Sequence, residues 1–196
     1  ANGNNVETNA ARTYIFLPNG TYDLGDKCLT LISGNNISII GESMDNTIIV
    51  NKPEVEGIGV TATLFNTSTG LYMQDLTLKN AYPFDKSTGR AVCLQDKGTQ
   101  TICKNVKMLS YQDTYYSNNN KGQYYFEGSD IHGIVDFICG GGDVFFNKCT
   151  LTLEPGKGSY ITAPYTDGTD YGYVFDGCKI VGSATDSFTF GRSWGG

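Results

Sequence analysis

The chain has 196 residues, 39% of them hydrophobic and 17% charged, with a formal net charge of −6. That length holds one sizeable core without an obvious second domain, and the balance suits a packed protein rather than a disordered one. Its Lys and Arg residues are scattered rather than gathered in a basic stripe, and no apolar run approaches the roughly 20 residues of a bilayer span, so neither a nucleic-acid partner nor a membrane span is expected.

The chain starts at Ala1 and stops at Trp194-Gly195-Gly196, just after a strongly patterned strand. A mature, trimmed or partial chain is expected, and the missing targeting segment decides nothing. Cys28, Cys93, Cys103, Cys139, Cys149 and Cys178 contain no C-x-x-C pair, and all but Cys28 sit in apolar strand-like runs. With a single His in the sequence, a zinc site is poorly supported, and small buried core residues describe most of these cysteines better than a disulfide framework.

Helix signals are scarce along the whole chain. Short β-branched or aromatic runs alternate with turn clusters such as Gly34-Asn35-Asn36 and Gly140-Gly141-Gly142, an all-β pattern. In chain order, one unit keeps returning: a turn-type or small residue followed by apolar-x-apolar. It reads Asn36-Ile37-Ser38-Ile39, Asp75-Leu76-Thr77-Leu78 and Asn105-Val106-Lys107-Met108, then Gly128-Ser129-Asp130-Ile131, Lys148-Cys149-Thr150-Leu151 and Gly177-Cys178-Lys179-Ile180. From Leu78 onward the last apolar position recurs after 30, 23, 20 and 29 residues. Such periods belong to solenoids, in which each coil buries its apolar face against the next. Neither regular helices nor a fixed Leu/Asn frame is present, which argues against a leucine-rich repeat, and a β-sandwich does not repeat one motif in register. Constant strands with loops of unequal length favour a parallel β-helix.

Counting five residues on from the apolar anchor gives Asp113 from Met108 and Asp136 from Ile131, while the flanking coils give Pro83 and Gly156. Parallel strands lie about 4.8 Å apart, so the register predicts two stacked carboxyls. Like charges that close do not both ionise cheaply. One carboxyl should keep its proton near neutrality, leaving one group able to attack or accept and one able to donate. Most Asp residues in any sequence are ordinary turn or strand-edge residues. Here, however, Asp136 lies within Ile134-Val135-Asp136-Phe137-Ile138, where an unpaired buried charge would cost several kcal/mol. Asp113 follows Gln112, whose amide is a natural donor to a developing oxyanion.

These segments resemble the pectin methylesterase family. Ser110-Tyr111-Gln112-Asp113-Thr114-Tyr115-Tyr116 is similar to its "YQDTLY" segment, and Gly133-Ile134-Val135-Asp136-Phe137-Ile138-Cys139-Gly140 to "GTVDFIFG". Phe190-Gly191-Arg192-Ser193-Trp194 resembles "LGRPW", Pro18-Asn19-Gly20-Thr21-Tyr22 an early "G-x-Y" turn, and Ala62-Thr63-Leu64 and Leu78-Lys79-Asn80-Ala81 weaker stretches. The resemblance runs from about residue 12 to the end, and the two Asp motifs followed by Arg-x-Trp are its specific part.

It implies a right-handed parallel β-helix, a single pectin-lyase-like solenoid domain over residues 1–196 that lacks C-terminal coils. It implies hydrolysis of the methyl esters of galacturonate units in pectin (homogalacturonan), with no metal or cofactor, by a monomer that is secreted to an extracellular or periplasmic space. Carried over residue by residue, Asp136 would attack the ester carbonyl. Asp113 would protonate leaving methanol and then activate water, and Gln112 would hold the oxyanion. Arg192 would bond Asp136, and Trp194 and Tyr116 would line the sugar subsites. The chemistry is consistent with those roles, because a carboxylate nucleophile needs a guanidinium to orient it and a donor-rich pocket.

Three positions depart from the family. Arg90-Ala91-Val92-Cys93-Leu94 stands where the family has "QAVAL", with the same gap of 22 residues to Gln112. Arg90 is therefore expected to stabilise an oxyanion, to bind a substrate carboxylate, or to mark a site for another ester. Cys139 replaces an aromatic, and Ser129 stands where many plant members have a Cys that would pair with the Cys149 position. Several alternatives stay open at this point. They are a related carbohydrate esterase with altered substrate, a β-helical lyase or glycosidase, and a non-catalytic carbohydrate-binding β-helix. Against the second, the sequence has no Asp-Asp pair, and His132-Gly133 alone is weak evidence.

Overall fold

The computed structural model describes residues 11–31, 34–83, 89–156, 160–182 and 188–194. Its strands pair in parallel and stack into a β-helix. One column of strands takes Thr13–Leu17, Ile37–Gly41, Gln123–Glu127, Asp143–Asn147 and Tyr173–Asp176. A second takes Gly20–Asp23, Thr47–Asn51, Asp130–Gly133, Thr150–Leu153 and Lys179–Gly182. Two longer strands, Tyr72–Asn80 and Thr101–Leu109, pass through both columns and join them into a 12-stranded sheet. The third column is a separate 7-stranded sheet whose members include Leu94–Asp96, Tyr115–Ser117, Ile138–Gly140, Tyr160–Pro164 and Thr189–Gly191.

The repeating unit has a backbone cause. Asp75, Asn105, Gly128, Lys148 and Gly177 have φ of 53°, 50°, 57°, 54° and 59°. Each turns the chain from the first column into the second through the left-handed region, which Gly, Asn and Asp enter at least cost. The corners stack: Asn105 Nδ2 donates to Asp75 Oδ1 at 3.0 Å. A Cβ added to Gly128 would lie 2.8 Å from Asn105 Oδ1, so a larger residue there would have to displace the Asn105 side chain.

The anchors pair as the intervals predict, Leu78 with Met108, Met108 with Ile131, Ile131 with Leu151, and Leu151 with Ile180. One unit is out of place. Ile39 pairs with Ile15 and Met73, in the first column, and it is Ile49 that pairs with Leu78. Asn36, with φ of 51°, turns a different corner of the coil, and similar wording in the sequence does not reveal which corner a turn residue occupies.

Inside, aromatic rungs stack along the axis. Tyr115 meets Phe126 edge-on at 4.6 Å, and Phe146 stacks on Phe126 at 5.0 Å and on Phe175 at 4.6 Å. Full burial of each such ring contributes about 1.5–3 kcal/mol. All six cysteines are free; Cys93, Cys103, Cys139 and Cys149 are buried, and Cys28 and Cys178 half-buried. The Ser129 hydroxyl is buried and accepts the Val106 N–H at 3.2 Å, so the position that would carry a Cys serves the backbone instead.

Asp96 is a buried acid that no sequence signal marked. Its Oδ1 accepts from Asn66 Nδ2 at 2.8 Å and from the Gly98 N–H at 2.9 Å, while Oδ2 has no partner among the described residues. Burial pushes its pKa up to about 6 despite those hydrogen bonds. The native state therefore holds this proton more tightly than the unfolded chain does, and stability is lost as pH rises from the ordinary carboxylate range through about 6. The cost at neutral pH is about 3 kcal/mol. Asp96→Asn, which keeps an oxygen for both donors, is expected to raise Tm by about 6–12 °C at pH 8 and to change it little at pH 4. Thermal unfolding at the two pH values checks this.

Candidate active site

The chain leaves the second column for the third through two stacked turns. Gln112 bridges Val135 in parallel, the Asp113 N–H donates to Val135 O at 3.3 Å, and the Ile134 N–H donates to Tyr111 O at 2.7 Å. Asp113 therefore stands opposite Asp136 on the next coil, as the five-residue count predicts. Both have left-handed backbones, with φ of 55° and 45°, the conformation Asp75 also takes at a structural corner.

The flanking rungs differ from the count. The Ala91 N–H donates to Gln112 O at 3.1 Å on one side, and the Asp136 N–H donates to Tyr160 O at 2.7 Å on the other. Ala91 and Tyr160 thus take the places expected for Pro83 and Gly156. The turns between Leu78 and Ala91, and between Leu151 and Tyr160, contain extra residues that a fixed offset cannot register.

Arg192 grips Asp136 with two bonds, Nε to Oδ1 at 3.0 Å and an Nη to Oδ2 at 2.7 Å. This fork fixes the plane of the carboxyl. Arg192 is itself placed from the last coil: its N–H donates to Thr162 O at 3.0 Å, and its guanidinium lies 5.5 Å from the Tyr160 ring centroid. Gly191 pairs with Thr162, and a Cβ there would come within 2.5 Å of Thr162 Oγ1, so the glycine beside Arg192 permits the close approach.

Asp113 has no such fork. Burial first, and the Asp136 charge second, raise its pKa to about 7 against the opposing pull of Arg90 and Arg192. Near neutrality it is an acid able to give a proton and to take one back. The Cys139 thiol beside the pair is buried, and burial followed by the two aspartates pushes its pKa well up, so it stays a neutral thiol.

Gln112, Asp113, Asp136, Cys139, Ala163, Arg192 and Trp194 line a cleft of about 150 Å³. Trp194 is shared with an adjoining groove of about 330 Å³, where Tyr116 and Tyr165 approach its ring at 5.7 and 6.3 Å. Of the residues expected from sequence, Asp113, Asp136, Gln112, Arg192 and Trp194 meet in the cleft, and Tyr116 lies beside it in the groove. Arg90 does not line the cleft. It forks onto Glu56, with Nε to Oε2 at 2.9 Å and an Nη to Oε1 at 3.0 Å.

Glu56, Ala163 and Tyr165 escaped the sequence reading because none belongs to a repeating unit or a marked segment. His132 turns its ring away from the acid pair, with Nδ1 at 2.6 Å from Glu154 and Nε2 at 3.0 Å from Asp130. Among the described residues, no group of three or more His, Cys, Asp or Glu side chains is arranged to hold a metal ion.

The same parallel β-helix is found in solved pectin methylesterases. The enzyme of Yersinia enterocolitica superposes with a TM-score of 0.80 at 26% identity, over 96% of this chain and 67% of its own. A pectin methylesterase in complex with a hexasaccharide gives 0.81 at 27% identity, over 96% and 64%. In sequence, putative pectinesterase 11 of Arabidopsis thaliana is 32% identical over 161 residues. That alignment takes in 81% of this chain but only 44% of the Arabidopsis protein. The pectinesterase family profile matches residues 3–194, and the chain belongs to the pectinesterase family.

Proposed function

We propose that this chain carries the catalytic cleft of a pectin methylesterase, as one β-helical domain that removes methyl esters from galacturonate units of pectin outside the cell. The observation that carries the proposal is the asymmetry of the stacked acids. Asp136 is gripped by Arg192, while Asp113 on the adjoining coil holds its proton up to about pH 7. Family membership and the hexasaccharide-bound relative support the substrate class.

The steps follow from those two environments. An Asp136 oxygen attacks the ester carbonyl carbon, and the Gln112 amide donates to the oxygen that gains the negative charge. As the C–OCH₃ bond breaks, Asp113 gives its proton to the departing oxygen and methanol leaves. An anhydride remains between Asp136 and the sugar carboxyl. Asp113, now a carboxylate, takes a proton from water, and that water attacks the anhydride. The products are a galacturonic acid carboxyl, which loses its proton to solvent, the original Asp136 carboxylate, and Asp113 protonated again. Trp194, Tyr116 and Tyr165 offer ring faces and edges to the sugars on one side of the reacting unit.

The expected result with methylated pectin is methanol release without chain shortening and without unsaturated product. Methanol assay and product sizing read both. Chain cleavage would identify a glycosidase or lyase instead, and release of acetate from acetylated sugars in place of methanol would identify a related esterase of altered substrate.

A further inference from the structure

Glu56 and Arg90 occupy the coils that lead up to Gln112. Gly57 bridges Ala91 in parallel, and the Ala91 N–H donates to Gln112 O at 3.1 Å. The Glu56 carboxylate receives three donors there: Arg90 Nε at 2.9 Å, an Arg90 Nη at 3.0 Å and the Arg90 backbone N–H at 3.0 Å. Gly89 beside it completes the seat, since a Cβ at that position would lie 2.9 Å from Glu56 Oε2. A guanidinium fork plus a backbone N–H is a built receptor for a planar carboxylate. In this structure the chain's own glutamate fills it.

Both side chains are open to solvent, 44% exposed for Arg90 and 39% for Glu56. Exposed pairs are weak and exchange partners readily. The Arg90 charge is also felt at Asp113 and Tyr116, and Arg90 stands next to Ala91 on the coil before Asp113, whereas Arg192 reaches Asp136 from the coils beyond it. Arg192 is committed to Asp136, and among the described residues Arg90 is the other cation whose charge reaches Asp113. The chain has a net charge of −6, and a polyuronate bearing free carboxylates is repelled by it as a whole. A de-esterified stretch therefore needs a local cation to be held beside the reacting ester.

Resting on the pectin methylesterase reading above, we propose that Arg90 is a subsite for the free carboxylate of a uronate unit near the ester under attack, and that Glu56 is the internal counter-ion this carboxylate displaces. The pair makes the enzyme favour partly de-esterified chains, because the methyl ester of a fully methylated neighbour has no charge with which to compete against Glu56.

The test compares kcat/KM on partly and on fully methylated oligogalacturonides for wild type, Arg90→Gln, Arg90→Lys and Glu56→Gln. Loss of a forked carboxylate contact corresponds to about a tenfold change. The ratio of partly to fully methylated substrate is expected to fall about tenfold in Arg90→Gln, to fall less in Arg90→Lys, and to rise in Glu56→Gln. An unchanged ratio in Arg90→Gln, or a fall in Glu56→Gln matching that of Arg90→Gln, would overturn the subsite and leave the pair a loop tie. Calorimetric binding of unesterified oligogalacturonate needs no turnover: weaker binding to Arg90→Gln and tighter binding to Glu56→Gln are expected. This arm separates the two proposals. Absence of methanol release with Arg90-dependent binding would sink the esterase reading alone, whereas methanol release with Arg90-independent binding would sink the subsite alone.

Discussion

Asp136→Asn is expected to lower the rate of methanol release from methylated pectin at least about 10⁴-fold, the scale seen when a covalent nucleophile is removed. An amide oxygen is too weak a nucleophile to replace a carboxylate, and the amide nitrogen would face the Arg192 fork with donors against donors. The fold should survive. Arg192 is 42% exposed and can be rehydrated when it loses its partner, and Asn tolerates the left-handed backbone that Asp136 adopts at φ 45°. Tm within a few degrees of wild type, alongside lost turnover, is the outcome to look for. Full turnover in the Asn variant would remove Asp136 from the mechanism.

Asp113→Asn is expected to cost about 10²–10⁴-fold, the range for a general acid–base group. Its stability should move the other way. The folded pKa of Asp113 is raised, chiefly by burial and then by Asp136. The native state therefore favours the protonated form, and this contribution to stability is lost as pH rises from the ordinary carboxylate range through about 7. Replacing it by a neutral amide should raise Tm above pH 7 while activity falls. In wild type, formation of the covalent intermediate should decline above about pH 7, as the acid that protonates methanol is titrated. Rapid-quench measurement of methanol across pH 5–9 reads that limb (the pH interval is about the range over which such a group titrates). A flat acylation rate through that interval would exclude Asp113 as the proton donor.

Much of this architecture is legible in the sequence because a β-helix repeats its corners. The left-handed turn residue between the first and second columns leaves a visible Asn, Asp or Gly at Asp75, Asn105, Gly128 and Gly177, though not at Lys148, and the buried anchors Leu78, Met108, Ile131 and Leu151 mark the register. That register is enough to face Asp113 with Asp136, because the two coils share one turn length. It fails at Pro83 and Gly156, where added loop residues break the count, and at Asn36, where the same chemistry serves a different corner. Contacts made by loops leave no period at all. Glu56 reaches Arg90 across 34 positions, and only the folded chain shows that the arginine expected to face substrate is held by an internal carboxylate. Asp96 is hidden for another reason: nothing in Leu94-Gln95-Asp96 says that the acid points inward.

The central claim is that the two stacked acids have different tasks, with Asp136 forming the covalent bond. Acid quench of wild-type protein turning over a methylated oligogalacturonide, followed by peptide mass measurement, tests it most directly. The predicted result is a galacturonyl adduct on the peptide containing Asp136, present in wild type and absent from Asp136→Asn. An adduct on the peptide containing Asp113, or one that persists in Asp136→Asn, would contradict it.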